Sequence, residues 1–338
     1  PEEMAGTLVT EAVRGEGGHL YNVGGERYMA RYDPERLELS RRDRVALANY
    51  TEIVEGRGTP HGGVYLDISH RPKDYILQKL PRMYRQFMET QMVDISKTPM
   101  EVAPTAHYSM GGVVVDPDSH ATAVEGLFAA GEVASGLHGA NRLGGNSLVE
   151  TLVFGRRAGE HAAARSVGLE VQLRSRRAID AAHDDLNSVI HEGEELARPL
   201  QRALRDAMWE GCGVLRDEAR LRQALDRIHE LQEAATTVDV RPSSEGFFDL
   251  AHALDLRASL LSATATVLGA LERRESRGAH QRADFPQLDP ALLVNFSIRQ
   301  APDGALSVSP VPVPPVPDEL RSLVMTEESL AVSGRLLE

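Results

Sequence analysis

"GLHGANRLGGNSLVETLVFG", residues 136–155, decides the fold of its neighbourhood. Glycines at 136, 139, 144 and 145 leave the backbone bare, so a flat ligand can approach without meeting a Cβ. Behind them Ser147 and Glu150 stand at capping-box spacing, which predicts a helix over about 148–164. A helix opening there aims free N–H groups and a partial positive charge at whatever precedes it. Arg142 lies beside that end and offers a planar fork matching a carboxylate. The same features describe a Gly-rich turn before an ordinary helix, with Arg142 solvated, and spacing alone does not separate the two.

The flanking sequence extends the pattern. "PTAHYSMGG" (104–112) places His107 ahead of another Gly pair, where it can donate to a carboxylate, exchange a proton, or serve only structure. "GGVVVD" (111–116) predicts a β-branched strand, "PDSH" a turn, and "GLFAAGE" (126–132) a short buried parallel strand. Such a helix end suits an oxygen that gains negative charge, as the N1/C2=O edge of a reduced flavin does.

Upstream, "TEAVRGEGG" (10–18) sets Thr10, Glu11 and Arg14 close together. The pair three residues apart reads equally as a surface ion pair. "SRRDRVALANYTEIVEG" (40–56) predicts a helix whose start crowds Arg41, Arg42 and Arg44 around Asp43, a pattern shared by solvated faces. A Gly/Pro loop follows, then a strand at "VYLDIS" (64–69) and a helix from about Pro72 to Thr90, together an α+β unit. Downstream, "EARLRQALDRIHELQEAA" and "FDLAHALDLRASLLSATATVLGALERRES" carry apolar residues at three- and four-residue spacing, which predicts an antiparallel helical bundle. The tail "VSPVPVPPVPDEL" predicts extended or poorly ordered chain.

Composition removes several classes of function. Fifty acidic against 37 basic residues give a net charge of −13, the wrong sign for a nucleic-acid binder. A single cysteine, Cys212, excludes an internal disulfide and a four-cysteine cluster within the chain. No apolar run of the roughly eighteen residues that span a bilayer stands out.

As a set these segments resemble the flavoprotein subunit of succinate dehydrogenase and fumarate reductase. The resemblance runs from "AGTLVTEAVRGEGG" through "GERYMARYDPERLELSRRD", "EIVEGRG", "PTAHYSMGG" and "GLFAAGEVASGLHGANRLGGNSL" to "RESRGAHQRADFP". It implies an α+β multidomain flavoprotein fragment: a capping domain, the closing part of a Rossmann-like FAD domain and a C-terminal helical bundle. The expected divisions are 1–20 (FAD-domain segment and hinge), 21–101 (cap), 102–166 (FAD domain), 167–275 (bundle) and 276–338 (tail). Arg42 would be the proton donor to fumarate or acceptor from succinate, with Glu11 and Arg14 as its relay. Thr10, His107 and Arg142 would hold the dicarboxylate, and Glu132, Asn146, Ser147 and Leu148 the FAD. Expected partners are iron–sulfur and membrane-anchor subunits, which would hold the protein peripherally on the cytoplasmic face of a bacterial inner membrane. No transmembrane segment is expected within the chain.

Nothing in the chain serves as the family's GxGxxG βαβ unit, and the substrate histidine of its His-Pro-Thr motif would lie upstream of Pro1. The chain therefore reads as a C-terminal fragment, expected alone to bind FAD poorly and not to turn over. Two rival readings are L-aspartate oxidase, which shares the "HGANR" region and the arginine acid, and a non-catalytic docking scaffold. Arg273, Arg274, Arg277, His280 and Arg282 read as a second anion site or, preferably, as structure or subunit docking. His138 and Arg57 read as structural.

Overall fold

The computed structural model describes residues 6–170, 175–241, 243 and 247–323. The α+β class holds, and two separate hydrophobic cores organise it.

The first core is built around a three-stranded antiparallel sheet, β1 (His19–Tyr21), β2 (Val64–Asp67) and β3 (Met100–Val102), in the order β1-β2-β3. Leu20 pairs with Leu66 and Leu66 with Met100, so one buried row crosses the sheet. Two one-turn helices, α1 (Ala12–Gly15) and α2 (Met29–Tyr32), and the longer α3 (Arg42–Glu52) contribute Val13, Met29, Val45 and Ala48 to this core. α3 begins where the arginine run predicts, and passes into a π-turn over Ile53–Arg57 in which Gly56 takes a left-handed φ of 77°. The single helix expected over Pro72–Thr90 is two, α4 (Lys73–Lys79) and α5 (Pro81–Gln91). Pro81 lacks the N–H that would continue α4, and Leu80 before it leaves helical geometry at φ −127°, ψ 43°.

The same unit holds a buried carboxylate. Glu52 accepts from Asn22 at 2.9 Å, from Tyr32 Oη at 2.6 Å and from both Nε and Nη2 of Arg57 at 2.8 Å. Arg57 thus has the structural partner expected of it.

The region 103–145 departs from its expectation. Neither "GGVVVD" nor "GLFAAGE" forms a strand; each contributes a single bridge, Val113 with Ala134 and Ala121 with Phe128. A β-branched run becomes a strand only against a partner ladder, and these runs have none among the described residues. The helix beyond them, α6, spans Asn146–Val167, longer at both ends than predicted. Its N-cap is Gly145 in the left-handed region at φ 85°, with no side-chain cap, so the Ser147/Glu150 capping box does not form. Glu150 is buried and bonds elsewhere.

The second core joins α7 (Arg176–Val189), α8 (Ala197–Cys212), α9 (Glu218–Ala235) and α10 (Phe248–Glu272). Leu200, Leu204, Leu221, Ile228, Leu256, Leu260 and Val267 interlock at its centre, as the apolar spacing predicts. Asp217 caps α9 by accepting from the Arg220 N–H at 2.9 Å. Contrary to the composition reading, α10 is long and apolar enough to cross a membrane, with a mean hydropathy of 1.3 over its most apolar window. In this fold one face of it, with Leu256, Leu260, Ala263 and Val267, packs in the bundle against α8 and α9, while Phe248, Leu254 and Leu261 stay exposed. The tail is more ordered than its prolines suggest. β4 (Val294–Gln300) and β5 (Leu306–Pro312) form a hairpin in contact with α10, with Pro310 and Pro312 on β5, an edge strand that tolerates them. Residues 324–338 of the expected tail lie outside the described residues.

Candidate functional site

The residues singled out by sequence gather into two groups. In the first, Glu11 sits at the N-terminus of α1, and its Oε2 accepts from the Nε of Arg42, the first residue of α3. The same oxygen lies 3.5 Å from Nη2 of Arg14. Arg14 is nearly buried, its side chain 13% exposed, and Nη1 donates to the carbonyls of Glu38 and Ser40. Arg42 is 55% exposed, so one end of this cation–carboxylate–cation chain faces solvent and the other faces the protein. Thr10 Oγ1 accepts from the N–H of Ala12 at 3.3 Å, at the start of the same turn.

Electrostatics follow this order. The Arg42 hydrogen bond, opposed by burial and helped by the charges of both arginines, holds the Glu11 carboxyl below its ordinary value. The same bond raises Arg42, while burial is the main cause lowering Arg14.

The second group surrounds the start of α6. Tyr108 Oη donates to the Glu150 carboxylate, and His138 Nε2 lies 2.8 Å from the same oxygen. The guanidinium of Arg142 stacks over the Tyr108 ring at 4.7 Å. Its Nη1 donates to the carbonyl of Leu143 at 3.2 Å, while its Nε is buried without a partner. Glu132 accepts from the Ser109 N–H at 2.8 Å. His107, next to Tyr108, is exposed. No hydrogen bond or ion pair joins the Thr10–Arg42 group to the His107–Arg142 group among the described residues.

Sequence spacing does not bring out Tyr108, His138 and Glu150 as a set. Read locally, His138 is structural and Glu150 is a cap; only the pairing of two long-range partners on one buried carboxylate reveals them.

The surroundings of the α6 N-terminus fit a flavin. A Cβ added at Gly136, Gly139, Gly144 or Gly145 would meet nothing, so an open cradle precedes the helix. The helix end has no side-chain cap; the Asn146 N–H donates to the Leu143 carbonyl at 3.3 Å, and the N–H groups next in line suit an external acceptor. Leu148 and Leu152, a turn apart on α6, are 75% and 74% exposed and offer an apolar face beside that cradle.

The arginine-rich stretch resolves into structure. Arg273 and Arg277 bracket the buried Glu275 at 2.6 and 2.7 Å, and the buried Arg282 pairs with Asp284 at 2.7 Å. His280 lies between Arg216 Nη1 and the Arg273 carbonyl. Arg273, Arg277 and Arg282 thus each have a carboxylate partner, while Arg274 is exposed.

Known proteins match both ends of the chain. A family described as "FAD binding domain" matches residues 1–148, and one described as "Fumarate reductase flavoprotein C-term" matches residues 201–322. The fumarate reductase flavoprotein subunit of Haemophilus influenzae is 40% identical over 306 residues, 84% of this chain and 51% of that protein. The structure of Mycobacterium smegmatis Sdh1 in complex with UQ1 superposes with a TM-score of 0.83 at 40% identity, covering 96% of this chain and 55% of that one. L-aspartate oxidase of Acinetobacter baylyi is 38% identical over 314 residues, 88% of this chain and 53% of that protein. The chain spans about half the length of the curated relatives it matches. From the FAD-binding match, the fumarate-reductase C-terminal match and the shared fold, the chain belongs to the family of flavoprotein subunits of succinate dehydrogenase and fumarate reductase.

Proposed function

We propose that the whole protein interconverts succinate and fumarate, with Arg42 moving the proton. The observation that carries this reading is the Glu11 carboxylate shared between Arg42 and Arg14. FAD, when bound, accepts or supplies the hydride. The opposite carbon of the substrate exchanges a proton, and Arg42 is the group that delivers or takes it. An arginine is a weak acid, so its partner matters: Glu11 restores the proton and Arg14 connects Glu11 to the interior.

A substrate with a carboxylate at each end needs fixed donors at both. Arg142, His107 and Thr10 supply cation, imidazole and hydroxyl in this reading. Arg142 keeps a buried, unpartnered Nε, consistent with an anion completing its bonds. Glu132, Asn146, Ser147 and Leu148 would hold the flavin, the last three through the open end of α6.

The unit around the first core is proposed as the mobile cap over 21–101, with 1–20 as hinge, 102–166 as the closing part of the FAD domain and 167–275 as the bundle. Partner subunits carrying iron–sulfur clusters and a membrane anchor would take the electrons and hold the protein peripherally at the cytoplasmic face of the membrane. The oxidase reading has a relative at 38% identity behind it, but "MGG" after "AHY" and "RLGGNSL" after "HGAN" favour the succinate/fumarate enzymes.

The test is Arg42→Ala in the full-length protein. Turnover should fall by roughly two to four orders of magnitude, the usual contribution of a positioned acid or base, while FAD content stays at the parent level. Near-parent turnover would remove Arg42 from the mechanism.

A further inference from the structure

The Glu150 carboxylate is 4% exposed, yet it holds two loops at once. From one side Tyr108 Oη donates to its Oε2; from the other, His138 Nε2 stands 2.8 Å away. Tyr108 adjoins His107, and His138 lies four residues before Arg142. The rings of Tyr108 and His138 meet edge to face at 5.3 Å, and Arg142 lies on Tyr108. Both carboxylate-binding loops are therefore tied to one oxygen on α6, one turn beyond the open helix end.

We infer that Glu150 is a positioning residue that sets the spacing between His107 and Arg142, and so the length of dicarboxylate the site accepts. This rests on the dicarboxylate reading above. A buried carboxylate without donors is costly to keep charged, so its two donors cannot be released independently of it. Burial pushes the Glu150 carboxyl up, but the bonds from Tyr108 and His138 outweigh it and hold the group below its ordinary value. It remains a charged acceptor for both loops. Pulling either donor away would let His107 and Arg142 move relative to one another. Neither Glu150 nor Tyr108 needs to touch substrate for this to matter.

Tyr108→Phe removes the hydroxyl and keeps the ring beneath Arg142; Glu150→Gln keeps the shape and alters the acceptor. Both are made in the full-length flavoprotein. Flavin content and melting temperature are measured first, then Kd values for malonate, succinate and glutarate by flavin difference absorbance, with kcat and KM for succinate.

Each variant should keep its flavin and weaken its best dicarboxylate roughly three- to tenfold, the range of one hydrogen bond. The preference among the three chain lengths should narrow, and KM should change more than kcat. If Glu150→Gln fails to fold, Tyr108→Phe alone decides. Affinities within twofold of the parent for all three acids, with the length preference intact, would overturn the inference. If the parent binds none of the three, the dicarboxylate reading falls and this inference with it.

Discussion

Ala279 donates its backbone N–H to the carbonyl of Ala140 at 2.9 Å, tying the end of the helical bundle to the loop that carries Arg142. The turn that presents Ala279 is closed by a reciprocal pair of backbone bonds between Arg277 and His280 and anchored by the Arg277–Glu275 ion pair. A stretch that looks like an anion site is therefore the support on which a proposed substrate loop rests.

Gly278 makes that contact possible. It sits at φ 59°, and a Cβ there would collide with the carbonyl and Cβ of Ala140. Left-handed backbone alone costs a non-glycine residue roughly 1–2 kcal/mol, and the collision adds to it. Gly278→Ala should lower the melting temperature by several degrees and weaken dicarboxylate binding. Calorimetry and a binding titration check both; an unchanged affinity would show that the loop does not depend on this support.

Glu11→Gln tests the proton chain apart from Arg42. The variant keeps a hydrogen-bonding group between the two arginines but cannot carry the charge. Turnover should drop by about ten- to a hundredfold at the parent's optimum pH, less than for Arg42→Ala, while the Kd for dicarboxylate changes little. A parent-like kcat would place Glu11 outside the relay.

Glu52 makes the first core sensitive to acid. Burial pushes its carboxyl up, but hydrogen bonds from Arg57, Tyr32 and Asn22 win and hold it at about 2, against an ordinary 4.5. A carboxylate depressed in the folded state stabilises fully above its unfolded value and loses that contribution as pH falls from about 4.5 to about 2. Glu52→Ala should cost roughly 1–3 kcal/mol, because it takes the shared acceptor from Tyr32 and Asn22, while Arg57 keeps its ion pair with Glu55. Glu52→Gln should flatten the acid dependence of stability in that window, measured by denaturant unfolding as a function of pH. A parent-like slope in Glu52→Gln would assign the acid loss to other groups.

The parts legible in the sequence are those governed by local period. α9 and α10 follow from leucines and alanines at three- and four-residue spacing, and the start of α3 from the arginine run. Pro81 carries the break between α4 and α5, but the apolar spacing on either side of it disguises the break. The site is a different matter. Ser147 and Glu150 satisfy the capping-box spacing, yet Glu150 turns to Tyr108 and His138, 42 and 12 residues distant. Arg42 meets Glu11 across 31 residues. No local pattern encodes such pairs, so their partnership comes into view only through resemblance or through the fold. The two missing strands fail for a related reason: a strand is a property of its neighbours as much as of its own residues.

A plain four-carbon dicarboxylate is the substrate on which the proposed roles of Arg42, His107 and Arg142 all depend. The direct measurement is electron transfer from succinate to an artificial dye by the full-length flavoprotein, with aspartate plus oxygen assayed alongside. Reduction of the dye by succinate, with no hydrogen peroxide formed from aspartate, is the predicted result. Oxidation of aspartate by oxygen, with succinate inert, would contradict it and move the protein to the oxidase branch.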